Sequence, residues 1–219
     1  MESLLARLDV KKAADDDGIP TLLLCVAAKY IAPQVHYLFN LSLKQGRLPD
    51  AWKPATIIPI YKKGDRTVVS NYRPISLLSA LSKILERIVY KRVYKHVDPL
   101  IPDRQSGFRR KDGTVLQLTR LVHSLAEGLE NKSVIANCYF DLSKAFDRVW
   151  HEGLLAKLAH AGIRGASLAW FEGYLKGRLQ RVRVDTATST WKLIPAGVPQ
   201  GSALGHIHIG STQSHPIIC

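Results

Sequence analysis

The stretch Val134-Ile135-Ala136-Asn137-Cys138-Tyr139-Phe140 constrains the fold more than any other part of the chain. It is almost continuously apolar and of strand length, and that reads as a central strand covered on both faces, because a half-exposed strand alternates apolar with polar side chains. Such a strand needs enough further chain to cover two faces of a sheet. With 219 residues, 46% of them hydrophobic, this chain has it. The longest clean apolar stretch, Leu22 to Ala28, ends at Lys29, far short of the ~20 residues that cross a bilayer. No membrane span is expected. Residues 1–7 hold no basic start, apolar block and small-residue cleavage site, so no secretory signal is read. An intracellular location, nucleus or cytoplasm, is expected.

Around that strand the patterning alternates between periods. Apolar side chains from Leu22 to Leu43 recur at three- and four-residue spacing and predict two helices broken at Pro33, with Gly46 as the C-terminal stop. Ala55 to Tyr61 is β-branched and bounded by Pro54 and by Lys62-Lys63-Gly64-Asp65. It reads as an edge strand, since Pro59 cannot donate to a ladder. Ser79 to Val97 reads as an amphipathic helix with Lys83, Arg87, Lys91, Arg92 and Lys95 off its apolar face, and Thr114 to Leu129 repeats the helical period. Two more helical stretches, near His151 to Ala161 and Ala166 to Leu175, lead to Arg181–Asp185 and Trp191–Ile194. Both of these alternate with period two about the polar turn Thr186 to Thr190, which predicts a hairpin. Helices come first, then strands and helices mixed without strict βαβ repetition. The class is α+β.

The net charge of +13 is unevenly spread. Residues 1–50 balance to zero, residues 51–120 hold fifteen basic against five acidic side chains, and residues 121–219 hold ten against seven. A dense positive surface releases counterions when it meets a phosphate backbone, so nucleic acid is the first partner to test. An anionic membrane surface and a merely solvated basic face stay open on charge alone. Cys25, Cys138 and Cys219 form no CxxC pair and have no histidine at zinc-ligand spacing. Neither a disulfide framework nor a zinc site is supported.

Asp141, at the mouth of the apolar strand, is the first candidate for chemistry. A carboxylate there presents hard oxygen beyond a sheet edge, where Mg²⁺ binds together with substrate phosphates. It can equally end the strand and cap a helix over residues 142–149. Asp147 can be a second ligand or an ion-pair partner of Arg148 or Lys144. Gln105-Ser106-Gly107-Phe108-Arg109-Arg110-Lys111 sets cations beside a glycine, suited to a triphosphate or simply solvated. Pro199-Gln200-Gly201-Ser202 offers a glycine for close backbone approach beside an amide that both donates and accepts.

In order and spacing, Asn71-Tyr72-Arg73-Pro74-Ile75-Ser76-Leu77-Leu78, Gln105-Ser106-Gly107-Phe108-Arg109, Phe140-Asp141-Leu142-Ser143-Lys144-Ala145-Phe146-Asp147 and Gly197-Val198-Pro199-Gln200-Gly201-Ser202-Ala203-Leu204-Gly205 resemble the reverse transcriptases of non-LTR (LINE-like) retrotransposons. Leu48 to Lys53 and Tyr61 to Gly64 resemble them too, and the likeness covers roughly residues 18 to 205. It implies the fingers and part of the palm of a right-hand polymerase: a helical extension over 1–50, a reverse transcriptase domain over 51–205 and an off-pattern tail over 206–219. Asp141 would be the first metal-binding carboxylate, with the Leu142 carbonyl as a further ligand of two Mg²⁺ ions that serve nucleotidyl transfer. Phe146 would lie beneath the sugar and exclude a ribose 2′-hydroxyl. Gln200 and Gly201 would line the nucleotide pocket, and Arg109 and Arg73 would grip triphosphate or template. The partners implied are an RNA template, a DNA primer and dNTPs, with no membrane.

The family's palm also carries an aromatic-Ala-Asp-Asp hairpin downstream of the Pro-Gln-Gly segment. Here the final acidic residue is Asp185, and after Gly205 the sequence turns to His206-Ile207-His208 with neither helical nor strand period. The expectation is a C-terminally truncated domain whose tail is out of pattern, with a polymerase ancestry and little or no activity by itself. A non-catalytic nucleic-acid-binding remnant is the alternative.

Overall fold

A computed structural model of the chain describes residues 1–11, 17–102, 105–107, 109 and 112–205. Phe108, Arg110 and Lys111 of the basic loop, and the whole tail with His206 and His208, lie outside the described residues. The class is mixed α and β, as expected. Among the described residues seven α-helices, α1 (Glu2–Ala6), α2 (Thr21–Val26), α3 (Ala28–Gln45), α4 (Ala80–Val97), α5 (Thr114–Glu130), α6 (His151–His160) and α7 (Gly165–Leu175), accompany five strands. The strands are β1 (Ala55–Tyr61), β2 (Tyr72–Leu77), β3 (Leu179–Val184), β4 (Ala187–Thr188) and β5 (Lys192–Leu193). No helix among the described residues is long and apolar enough to cross a membrane.

The break near the start falls at Ala27, and Pro33 sits inside α3. Pro33 forfeits one backbone bond there. Ala28, Ala32, Val35 and Phe39 are buried along the same helix, and their burial outweighs that loss, since each large apolar side chain is worth about 1.5–3 kcal/mol. Gly46 ends α3 as the pattern predicts. Its left-handed φ of 66° lets the Arg47 amide reach the Ser42 carbonyl and its own amide reach the Leu43 carbonyl, the paired closing bonds of a Schellman motif. The same glycine admits α7, because a Cβ there would lie 2.8 Å from the Ala166 carbonyl oxygen.

The sheet runs β2-β1-β3-β4, with β5 also on β3. β1 is therefore an inner strand, not the edge strand the sequence suggests. Its register explains how Pro59 is tolerated: Pro59 stands opposite Pro74 in the antiparallel β1–β2 ladder. Two residues without N–H can share only a non-hydrogen-bonded position, where the amide would point away from the partner strand. On that outward side β3 pairs only with Ala55, Thr56 and Ile57, so the ladder has ended before Pro59. The expected hairpin is present, with Leu179 opposite Leu193 and Gln180 opposite Lys192. Its turn starts at Asp185 (φ 50°), and β4 follows directly.

The stretch Val134 to Phe140 departs most from expectation. It forms no strand, and Val134 and Phe140 are 99% and 93% exposed. A central strand is held by ladders on both sides and cover on both faces, and none of the described strands pairs with this segment. Ile135 leans against α5 at Gly128. No residue of α5 is buried either, and Val115, Leu118, Val122 and Leu129 face outward.

One core gathers most of the helices. Trp170, Phe171, Tyr174 and Leu175 of α7 are fully buried among Phe39 of α3, Leu85 and Val89 of α4, Leu154 and Leu158 of α6, Leu5 and Leu204. The Trp170 indole N–H donates to the Ser42 hydroxyl at 3.0 Å, satisfying the polar edge of the largest buried ring.

Candidate functional site

Alternate residues of three strands make the floor of a cleft. Ala55 and Ile57 of β1, Pro74 and Ser76 of β2, and Gln180 and Val182 of β3 share one sheet face, as the registers Ile57 with Ser76 and Ala55 with Gln180 require. The loop from Ile194 to Gln200, with Lys144 and Asp147, closes over them around a volume of about 420 Å³.

Backbone bonds stitch that roof together. The Gly197 amide donates to the Val149 carbonyl and the Val198 amide to the Phe146 carbonyl. His151, buried at the start of α6, donates from Nε2 to the Gly197 carbonyl at 2.7 Å. Only glycine fits at 197: its φ is +89°, and a Cβ would meet the Asp147 backbone at 2.8 to 2.9 Å.

Gln200 is held at both ends. Its carbonyl accepts from the Ser76 amide at 2.9 Å on the free edge of β2, and its Nε2 donates to Asp147 Oδ1 at 3.0 Å. Three segments far apart in sequence, Tyr72–Leu77, Lys144–Asp147 and Gly197–Gly201, thus meet at one cleft. Gly201, with φ +106°, passes close to the Ser76 carbonyl.

The other candidate residues are placed as follows. Phe146 is half-buried against the core, its ring under Gly205. Asp141 and Leu142 lie exposed on the segment leading to the cleft and are not part of its lining. Asp147 accepts from the Gln200 amide, a partner that neither sequence alternative named. Arg73 is exposed on β2, and because Pro74 and Ser76 take the cleft side it belongs to the opposite face. Arg109 is half-buried and donates from Nη1 to the Pro102 carbonyl at 3.2 Å. Asp141 and the Leu142 carbonyl are hard oxygens of the kind Mg²⁺ takes alongside water and substrate phosphates. Among the described residues no three His, Cys, Asp or Glu side chains gather as a metal site.

Exposed cations fall in two ordered sets outside the cleft lining. Lys83, Arg87, Lys91 and Lys95 recur every four residues along α4, the last three exposed, which lines them up on one helix face. Lys62, Lys63 and Arg66 stand exposed on the β1–β2 loop. That loop is fixed from within: the Lys62 amide donates to the Asn71 carbonyl, Asn71 Nδ2 to the Asp65 carbonyl, and the Tyr72 hydroxyl to the Arg66 carbonyl.

Beneath the cleft lies a polar cluster that sequence reading missed. Glu86 is 0% and Arg178 2% exposed. Glu86 Oε1 accepts from the Ser82 hydroxyl and Oε2 from the Ala203 amide at 2.9 Å. Burial pushes the Glu86 carboxyl above its ordinary range, against the opposing pull of the Arg178 guanidinium, the Ala203 amide, the Ser82 hydroxyl and Lys83. Burial likewise pushes the Tyr174 phenol up, with Glu86 adding to it. One signal was available: Glu86 is the lone acidic residue between Asp65 and Asp98, in a helix otherwise rich in cations.

The family described as reverse transcriptase (RNA-dependent DNA polymerase) matches residues 60–211. Over 208 residues, 94% of this chain, the sequence is 40% identical to the RNA-directed DNA polymerase from mobile element jockey of Drosophila melanogaster, and 38% identical to its Drosophila funebris counterpart. It is 33% identical over 205 residues to the probable RNA-directed DNA polymerase from transposon X-element of Drosophila melanogaster. The chain spans 23%, 23% and 22% of those three relatives.

Proposed function

We propose, on the premise that the chain belongs to the reverse transcriptase (RNA-dependent DNA polymerase) family, that it forms the template- and nucleotide-gripping part of an RNA-directed DNA polymerase of a non-LTR retrotransposon. In this reading it comprises the fingers and the first part of the palm, and its partners are an RNA template, a DNA primer and dNTPs. The observation that carries the reading is the double tether of Gln200, to Ser76 and to Asp147, which draws three segments to one cleft.

Each part has a chemical task. Gln200, with carbonyl and amide both committed, gives a fixed wall against which a nucleotide can stack and hydrogen-bond, and fixed walls supply orientation at no cost during reaction. Phe146 would set the depth available to the sugar. Lys62, Lys63 and Arg66, with the α4 stripe and Arg109, offer charge to triphosphate and template backbone. Asp141 and the Leu142 carbonyl would hold Mg²⁺, which supplies charge neutralisation on the triphosphate and activation of the primer hydroxyl. A second reading, a nucleic-acid-binding remnant without chemistry, is favoured by one observation: Asp141 stands exposed with no metal-binding group gathered around it among the described residues.

Primer extension with poly(rA)·oligo(dT), Mg²⁺ and dTTP tests the reading. The 219-residue polypeptide by itself is expected to bind the template–primer and dTTP without extending it, since no Asp or Glu follows Asp185 in its sequence. Robust synthesis abolished by Asp141→Ala would overturn the expected inactivity, and failure to bind dTTP at all would overturn the nucleotide site.

A further inference from the structure

Glu86 sits on α4, the helix that carries the cationic stripe, yet its side chain points into the core and ends on the segment that follows Gln200 and Gly201. A fully buried carboxylate is costly unless its oxygens are occupied. Here both are, one by its own helix through Ser82 and one by the Ala203 amide, 117 residues away. Within the turn it grips, the Ser202 amide donates to the Pro199 carbonyl and the Gly205 amide to the Ser202 hydroxyl, while Gln200 at its start is tethered to Ser76 and Asp147. Arg178 completes the arrangement. It leaves α7 just before β3, donates from Nη1 to the Tyr174 carbonyl and lines the cleft floor. Its remaining Nε and Nη2 are buried without a hydrogen-bond partner, and its guanidinium lies over the Tyr174 ring, 5.3 Å from the centroid.

We infer that Glu86 is a positioning residue for the nucleotide pocket: its carboxylate clamps the Ala203 amide and so fixes Gln200 and Gly201 relative to the template-gripping helix α4. The inference rests on the reading that Gln200 and Gly201 line a nucleotide pocket. It adds a mechanical link between template and nucleotide. A shift of α4 on engaging RNA is passed to the pocket through one buried hydrogen bond, and the Ser82 hydroxyl holds the other carboxyl oxygen in place.

Native-state hydrogen exchange on the full chain tests the clamp directly. The Ala203 amide is expected to exchange only through the opening that also exposes the α4 amides; exchange at free-chain rates in the unaltered protein would overturn the inference. Glu86→Ala is expected to speed Ala203 exchange and to weaken dTTP binding in Mg²⁺ about tenfold, the cost of one buried unpaired donor, with poly(rA) affinity unchanged. Glu86→Gln keeps an oxygen for Ala203 and is expected to stay within about threefold of the parent for dTTP. Equal loss of dTTP and poly(rA) binding, with all amides accelerating together, would mark Glu86 as a core residue only and overturn the positioning role. Should the unaltered chain bind no dTTP, the pocket reading fails, and the exchange of Ala203 still decides whether the clamp exists.

Discussion

Gly197 and Glu86 carry the sharpest consequences of single side chains. Gly197→Ala drives a Cβ into the Asp147 backbone at a positive φ, so a loss of about 1–3 kcal/mol in thermal unfolding is expected, together with a shifted Gln200 side-chain amide signal in NMR. Loss of stability without any change at Gln200 would mean that the roof and the Gln200 tether are independent. Glu86 gives a pH dependence whose sign is fixed by its raised carboxyl. The folded state holds that proton more tightly than the unfolded chain, so stability is fully present below the ordinary carboxyl range and declines as pH rises toward the raised value. Arg178 of the α7–β3 connection, Tyr174 of α7 and Lys83 of α4 are the charged or titratable groups that act on it. Glu86→Gln is expected to flatten this decline in denaturation midpoints measured across pH, and an unchanged slope would contradict it. At this scale the sequence marks out Gln200, Gly201, Phe146 and Asp141 by motif, while the contacts Gln200–Asp147 and Glu86–Ala203 join residues 53 and 117 positions apart. Pairings of that range are set by packing and leave no local trace.

Elements with a strong period and clear ends were legible, and those whose state depends on neighbours were not. The extent of α4 follows from its apolar stripe, and Gly46 stops α3 as its left-handed φ requires. Pro33 shows the limit of local reading: buried side chains along α3 hold the helix through it, and the break moves to Ala27. The placement of β1 depends on the Pro59–Pro74 register and on where β3 stops, neither of which β1's own residues encode. The run Val134–Phe140 has the composition of a central strand, but composition describes what a segment would bury and not whether ladder partners stand beside it. α7 is the element on which the rest depends. Trp170→Ala is expected to cost about 3–5 kcal/mol in chemical denaturation, whereas Val115→Ser on the outward face of α5 is expected to stay within about 0.5 kcal/mol. A comparable cost for the two would contradict the core described.

For the whole molecule, the charge reading narrows to a surface. The excess over residues 51–120 becomes the α4 stripe and the β1–β2 loop. Neutralising two stripe cations, Arg87→Gln with Lys91→Gln, is expected to weaken poly(rA) binding and to reduce the slope of log affinity against log salt by about 1.4, some 0.7 for each lost contact. An unchanged slope would place RNA elsewhere. In the proposed function template and nucleotide meet at one cleft, and a ternary complex tests this most directly. Retention of poly(rA)·oligo(dT) by the chain should tighten with dTTP in Mg²⁺, not with the unpaired dATP, and the gain should vanish in Gln200→Ala. Retention that is the same with either nucleotide or with none would contradict it and leave a basic RNA-binding surface without a nucleotide site.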